Sequence, residues 1–235
     1  GQYEENYTQG AKKEYIKNGL VLYYDAINNT GSGHSTTTKI WKDLSGNGND
    51  GTLTSFATSS FWEETALRLD GVDDYIDTDL MQASLGNSIT ISAVCTAEDI
   101  SNYRGLFGRH YVTIHGVNYA GLLLQFDNNF LSAGMSCNGA LLPADPLKNK
   151  QISVTCVMES EKPSKLYIGG ELVKVGTDAY PFVPLSNLVI GKSLDSVERY
   201  WLGTISKFMV YTRALNEEEI AHNYQVDLER FQVEV

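Results

Sequence analysis

The chain has 235 residues, 42% of them hydrophobic and 20% charged, with a formal net charge of −11. That length can bury the core of one large β-sandwich. The acidic balance and the lack of any Lys/Arg cluster argue against nucleic acid, which needs a basic face. No apolar run approaches the roughly 20 residues of a membrane helix, so membrane insertion is not expected.

In chain order, residues 1–18 form a polar lead-in, with Tyr3, Tyr7, Tyr15 and Ile16 scattered among charges. The opening Gly-Gln-Tyr-Glu-Glu has no apolar signal region, and a leading Gly suggests a fragment of something longer. The single domain is expected over 19–235. Leu20, Val21, Leu22, Tyr23, Tyr24 and Asp25 read as a first strand, and 28–38 as a loop on its Asn, Thr, Gly, Ser and His content. Residues 74–78 follow as a strand candidate. Ile89, Ile91, Ala93 and Cys95 alternate with Ser88, Thr90, Ser92 and Val94, and Ile152, Val154, Cys156 and Met158 alternate with Ser153, Thr155 and Val157. This period of two predicts half-buried strands. Further strands are expected at 105–109, 111–115, 121–126, 130–136, 165–169, 171–175, 187–191 and 202–211, with a hairpin turning on Gly169 and Gly170. Asn216 and Glu219 make a capping box, Leu215 and Ile220 a hydrophobic staple, and Ile220, Tyr224, Leu228 and Phe231 keep helical spacing to about residue 231.

Short strands separated by turn residues predict an all-β fold, a two-sheet antiparallel jelly-roll sandwich with a short C-terminal helix. Sustained strand–helix alternation is missing, which argues against a parallel α/β sheet. Cys95 and Cys156 read as small core residues, with a bridge between neighbouring strands as the alternative; with Cys137 they make no disulfide framework or zinc pair.

Three stretches carry a family resemblance. They are Trp41-Lys-Asp43-Leu-Ser45-Gly46-Asn47-Gly48-Asn49-Asp50-Gly51-Thr52; Leu67-Arg-Leu69-Asp70-Gly71-Val-Asp73-Asp74-Tyr75-Ile76; and Leu202-Gly203-Thr-Ile205-Ser-Lys-Phe208-Met-Val210-Tyr211-Thr-Arg213-Ala214-Leu215 with Glu219 and Ile220. In order and spacing, from about Gly19 to Tyr224, they resemble the laminin-G-like, pentraxin-like branch of the concanavalin A-like lectin/glucanase superfamily. The resemblance implies a jelly roll with adjacent first and last strands. It implies little about function, because that superfamily includes lectins, adhesion modules, phage proteins, glycosidases and lyases.

Asp43, Ser45, Asn47 and Asn49 stand two apart, with Gly48 in sixth place, as oxygen donors do at the start of a calcium loop. Asp25 or Asp50 could complete it, and structural calcium is the expected cofactor. A Gly/Asn-rich turn is the alternative reading. Ligand contacts are expected from Tyr103, Arg104, Arg109, His110, Tyr119 and Trp201, with Tyr180 and Tyr200 behind them. These are aromatic faces for sugar C–H patches and polar groups for hydroxyls. Trp41 and Trp62 read as core. The glycosidase strand Glu-x-Asp-x-x-Glu that the resemblance would bring is missing, and Gly-x-Ser-x-Gly does not occur. Arg109, Tyr111 and His115 have lyase residue types without the rest of a lyase pattern.

The expectation is therefore a non-catalytic, lectin-like module of a larger cell-surface or phage-structural protein, extracellular or on a virion. It would contact glycans, a cell-surface polysaccharide or a host surface. An assembly domain touching only protein is the first alternative, and a diverged lyase or hydrolase the second.

Overall fold

The computed structural model describes residues 13–57, 61–101, 103–108, 112–114, 117–119, 123–127, 130–134, 140–177, 179, 181, 187–193 and 199–234. In chain order the strands are β1 (Leu20–Asp25), β2 (Ile40–Trp41), β3 (Gly51–Thr54), β4 (Leu67–Asp70), β5 (Tyr75–Met81), β6 (Ser88–Ala97), β7 (Arg104–Gly108), β8 (Val112–Ile114), β9 (Val117–Tyr119) and β10 (Leu123–Asp127). They continue with β11 (Phe130–Gly134), β12 (Ala140–Pro143), β13 (Gln151–Glu159), β14 (Lys165–Ile168), β15 (Glu171–Val175), β16 (Asn187–Ile190), β17 (Lys192–Ser193), β18 (Arg199–Tyr200) and β19 (Leu202–Tyr211), before helix α1 (Glu217–Phe231).

Two antiparallel sheets stack as a sandwich. One runs β1-β19-β6-β13-β14-β15, with β4 also on β19; the other runs β12-β11-β10-β7-β16-β5-β3-β2. The first and last strands, β1 and β19, pair antiparallel, as the resemblance implied. The core lies between the sheets. The Phe107 ring of one meets the Phe208 ring of the other edge-on at 5.6 Å. Trp41 and Trp62 are core residues as expected: Trp41 stacks on Tyr24 at 5.2 Å and meets Trp62 edge-on at 5.1 Å.

The alternation in β6 and β13 predicted strands with one wet face. Instead, both faces are buried along nearly their whole length. The physical reason is α1, which lies across the outer face of the first sheet. Ile220 and Val226 of the helix pack there on Val157, Tyr167, Met209 and Tyr211. The polar residues of that face are buried as a hydrogen-bonded network. Thr155 Oγ1 donates to Ser92 Oγ at 3.0 Å. Lys207 Nζ donates to both oxygens of Asp227, at 2.7 and 2.9 Å, and to Ser92 Oγ at 3.1 Å. Ser153 Oγ and Tyr15 OH donate to the same Asp227 carboxylate at 2.6 and 2.7 Å. Tyr15, from the lead-in, is thus buried under the helix.

Local chemistry sets the helix start. Asn216 Oδ1 accepts from Glu219 N at 2.9 Å, and Glu219 returns a carboxylate to Asn216 N at 3.0 Å. Leu215 and Ile220 share one buried cluster. Cys95 and Cys156 are buried free thiols. Cys95 faces Ile152, so Cys156 lies four residues farther along β13, about 13 Å at strand rise, and no bridge can form.

Candidate ligand-binding rim

One rim of the sandwich gathers the β4–β5 turn, the approach to β7 and the β17–β18 hairpin. Arg104, at the start of β7, is its strut. Its Nε and Nη2 donate to Asp99 Oδ2 at 3.1 and 3.0 Å, and its Nη1 donates to the carbonyls of Gly71 (2.8 Å) and Tyr200 (3.3 Å). A guanidinium that gives two N–H groups to one carboxylate oxygen and a third nitrogen to two carbonyls fixes three segments at once. Gly71 sits at φ +74°, and a Cβ there would come within 2.9 Å of Arg104 Nη1. The turn needs glycine for its backbone and for the strut's approach.

Beyond the strut, the β17–β18 hairpin rests on β7. A Cβ on Gly105 would lie 2.3 Å from Ser193 N, so only glycine admits the hairpin backbone this closely. The hairpin pairs Lys192 with Tyr200 and Ser193 with Arg199. The Arg199 guanidinium stacks on the Tyr103 ring at 3.8 Å from its centroid, and Lys192 Nζ stands 3.6 Å over Tyr75 and 5.6 Å from Tyr200. Such cation–aromatic stacks hold rings in fixed poses. Tyr103 nevertheless stays 42% exposed. Gln125 is fully buried. Its Oε1 accepts from Ser193 Oγ and Arg199 Nη1, both at 3.3 Å, while its Nε2 has no partner among the described residues.

In the turn itself, Asp70 Oδ1 accepts from Val72 N at 2.8 Å, and Asp74 Oδ2 from Asp70 N at 3.0 Å. Burial, with the nearby charges of Asp70 and Asp73, pushes the Asp74 carboxyl up to about 6.

The expected ligand residues divide. Tyr103 is on this rim and exposed. Arg104 is on it too, but as the strut, its guanidinium engaged by Asp99 and two carbonyls. Trp201 is a correction: it is fully buried, packed with the inter-sheet core. Its backbone N–H donates to Gly191 O at 2.8 Å, which turns the chain inward ahead of β19. Arg109, His110 and Tyr180, with Tyr111, His115 and Cys137, lie outside the described residues; Tyr119 ends β9, and its side chain lies outside them as well. Arg199, Lys192, Gln125 and Tyr75 were missed. Only Arg199, flanking the singled-out Tyr200, carried any signal.

The residues of the expected calcium loop are held by the fold itself. Asp43 Oδ1 accepts from Tyr23 N and Ser45 N, both at 2.9 Å. Its Oδ2 accepts from Ser45 Oγ at 2.8 Å and Asn49 N at 3.0 Å. Four donors fill the four lone-pair sites of a carboxylate. Asp50 accepts from Asp43 N at 2.9 Å and Lys42 Nζ at 2.8 Å. Asn47 and Asn49 donate to the Leu20 and Val21 carbonyls at 3.2 and 2.8 Å. Asp25, fully buried, takes Arg230, Tyr23 OH and Ile27 N. The loop is a hydrogen-bonded clasp onto β1, not an open set of oxygens.

A cavity of about 520 Å³ opens beside that clasp, lined by Tyr15, Tyr23, Lys17, Ser45 and Arg230 among others. Most of its polar groups already have protein partners: Tyr15 OH on Asp227, Tyr23 OH and Arg230 on Asp25, and Lys17 on Glu14, with only Arg230 Nε unpartnered among those of the described residues that line it and are buried. That makes it the weaker candidate beside the exposed ring of Tyr103.

A laminin-G family model, described as the concanavalin A-like lectin/glucanases superfamily, matches residues 70–221. No curated protein matches the sequence. Among solved structures, the chain is similar to Trypanosoma rangeli sialidase in complex with sialic acid, with 16% identity and a TM-score of 0.64, over 90% of this chain and 33% of that one. It is equally similar to the receptor binding domain of botulinum neurotoxin C/D mosaic serotype, with 16% identity and a TM-score of 0.64, over 89% and 52%. The chain therefore spans about a third of the sialidase and about half of the toxin domain, and at these identities the fold alone is shared. The expectation that the chain catalyses nothing is overturned as a deduction from the fold, since enzymes, the sialidases, stand among its matches. No helix of the described residues is long and apolar enough to cross a membrane. By the extent of the family match and the sandwich itself, the chain belongs to the concanavalin A-like lectin/glucanases superfamily.

Proposed function

We propose that this chain is a glycan-binding module, and that the rim around Tyr103 meets the sugar. The observation that carries the reading is Tyr103 itself: a tyrosine 42% exposed, with one ring face held by Arg199. A ring fixed before binding loses little freedom when a sugar ring stacks on its open side. Arg199 on the ring, and the exposed Asp70 and Asp73 of the β4–β5 turn on the same rim, supply hydroxyl-binding chemistry. The likeness to a sialidase solved with sialic acid, and to a toxin's receptor-binding domain, supports a role in binding at a surface. In this reading the module works outside a cell or on a virion, as one part of a longer protein.

A glycan array and cell-binding assays with the full chain test the proposal, and Tyr103→Ala should weaken any hit by about tenfold, the equivalent of roughly 1.4 kcal/mol. Blank results in both assays, with a stable symmetric oligomer in light scattering, would point to the rival reading, a domain contacting only protein.

A further inference from the structure

The cavity beside the clasp onto β1 takes its walls from three parts of the chain: the lead-in, the last turns of α1 and the clasp itself. The lead-in wall is fixed. Ile16 N donates to Asn223 Oδ1 at 2.9 Å, Tyr211 OH donates to Ile16 O at 3.0 Å, and Tyr15 OH donates to Asp227 at 2.7 Å. A space of about 520 Å³ between standing walls has the size of a small-molecule pocket.

The lining combines apolar and cationic groups. Leu20, Leu44 and Val226 give aliphatic surface, and the rings of Tyr15 and Tyr23, edge to face at 5.3 Å, give aromatic surface. Lys13, Lys17 and Arg230 stand against Glu14, the one acid among the described lining residues. The two lysines sit in exposed ion pairs, Lys17 with Glu14 at 2.6 Å and Lys13 with Glu229 at 3.6 Å. Water screens such pairs, so a ligand can exchange them easily. Arg230 is different. Its Nη2 pairs with the buried Asp25, whose carboxylate also accepts from Tyr23 OH at 2.8 Å, and this holds the guanidinium in place. Its Nη1 donates to no group of the described residues, although the side chain keeps 19% of its surface exposed. A guanidinium engaged at one nitrogen alone is an unfilled fork, and a planar oxyanion fills it.

We infer that this cavity binds a small organic acid, a monocarboxylate on an aromatic or branched aliphatic body. The carboxylate takes Arg230 Nη1 with a lysine beside it, displacing the exposed carboxylate of Glu14 or Glu229 into water. The body packs on the two tyrosine rings and the three aliphatic side chains. Because the lead-in forms one wall, the bound acid ties it to α1. The site shares no lining residue with the Tyr103 rim. The inference goes beyond the glycan reading and does not rest on it.

Phenylacetate and isovalerate, titrated into the full chain by saturation-transfer NMR with thermal melts alongside, test it; phenethyl alcohol and isoamyl alcohol are the uncharged counterparts. At least one acid should bind saturably, at about 1 mM or below, and at least tenfold more tightly than its alcohol. It should raise the melting temperature as its concentration climbs. Arg230→Lys, which keeps a charge for Asp25, should weaken the acid at least tenfold. Lys13→Glu with Lys17→Glu, at exposed positions, should do the same if Arg230→Lys does not fold. Glu14→Gln, which removes a competing carboxylate, should tighten binding, and Tyr103→Ala should leave it unchanged. No saturable binding of either acid to the wild type would overturn the inference. So would alcohols that bind as tightly as the acids, or undiminished affinity in Arg230→Lys or in the double lysine variant.

Discussion

Replacing Lys207 with methionine strips Asp227 of its countercharge inside the protein. Both side chains are essentially unexposed. Asp227 accepts four hydrogen bonds: two from Lys207, one from Tyr15 and one from Ser153. Losing two charge-assisted bonds at about 1.5–3 kcal/mol each gives a cost of about 3–6 kcal/mol, which agrees with the roughly 3–5 kcal/mol for orphaning one member of a buried pair. Against a domain stability of about 5–15 kcal/mol, that is a large fraction. Lys207→Met with Asp227→Leu removes both charges and should cost less than the sum of the two singles, with a residual cost because Tyr15 OH and Ser153 Oγ lose their acceptor. Urea unfolding reads the effect by tryptophan fluorescence, because Trp41, Trp62 and Trp201 are all buried in the core. The reasoning fails if Lys207→Met costs less than about 1 kcal/mol, or if the double variant loses the sum of the two singles.

Two further outcomes follow from the rim and the helix cap. Gly105→Ala would drive a methyl into the Ser193 backbone, lift the β17–β18 hairpin and break the Tyr103–Arg199 stack; it should cost about 1–3 kcal/mol of stability and abolish glycan binding, whereas retained binding would refute the role of the hairpin. The Glu219 carboxyl is held below its ordinary value, chiefly by the Arg213 guanidinium. Its contribution is therefore full above the ordinary glutamate range near 4.5 and fades as pH falls through the lowered value. Melting midpoints of wild type and Glu219→Gln, compared from neutral to acid pH, should converge on acidification; a constant gap would contradict the assignment.

The fold was largely legible because its signals are local. Alternation in β6, β13 and β19, and a capping box read directly from Asn216 and Glu219, need no knowledge of distant residues. The site was less legible because its chemistry depends on partners far along the chain. Asp43 has the spacing of a calcium ligand, but Tyr23 N, twenty residues earlier, takes up an oxygen that a metal would need. Arg104 looks like a ligand contact until Asp99, Gly71 and Tyr200 are placed around it. Trp201 breaks the apolar alternation and so reads as surface, yet the turn at Gly191 carries it inward. Arg199 and Gln125 meet only because β17–β18 lies across β7 and β10, which no local pattern encodes.

The central claim, a glycan met by the rim around Tyr103, is tested most directly by titrating array-selected oligosaccharides into wild type and Tyr103→Ala side by side. The account predicts saturable binding to the wild type and at least a tenfold weaker affinity in the variant, with an unchanged melting temperature. Equal affinity in the two proteins would move the ligand off this rim and contradict the account.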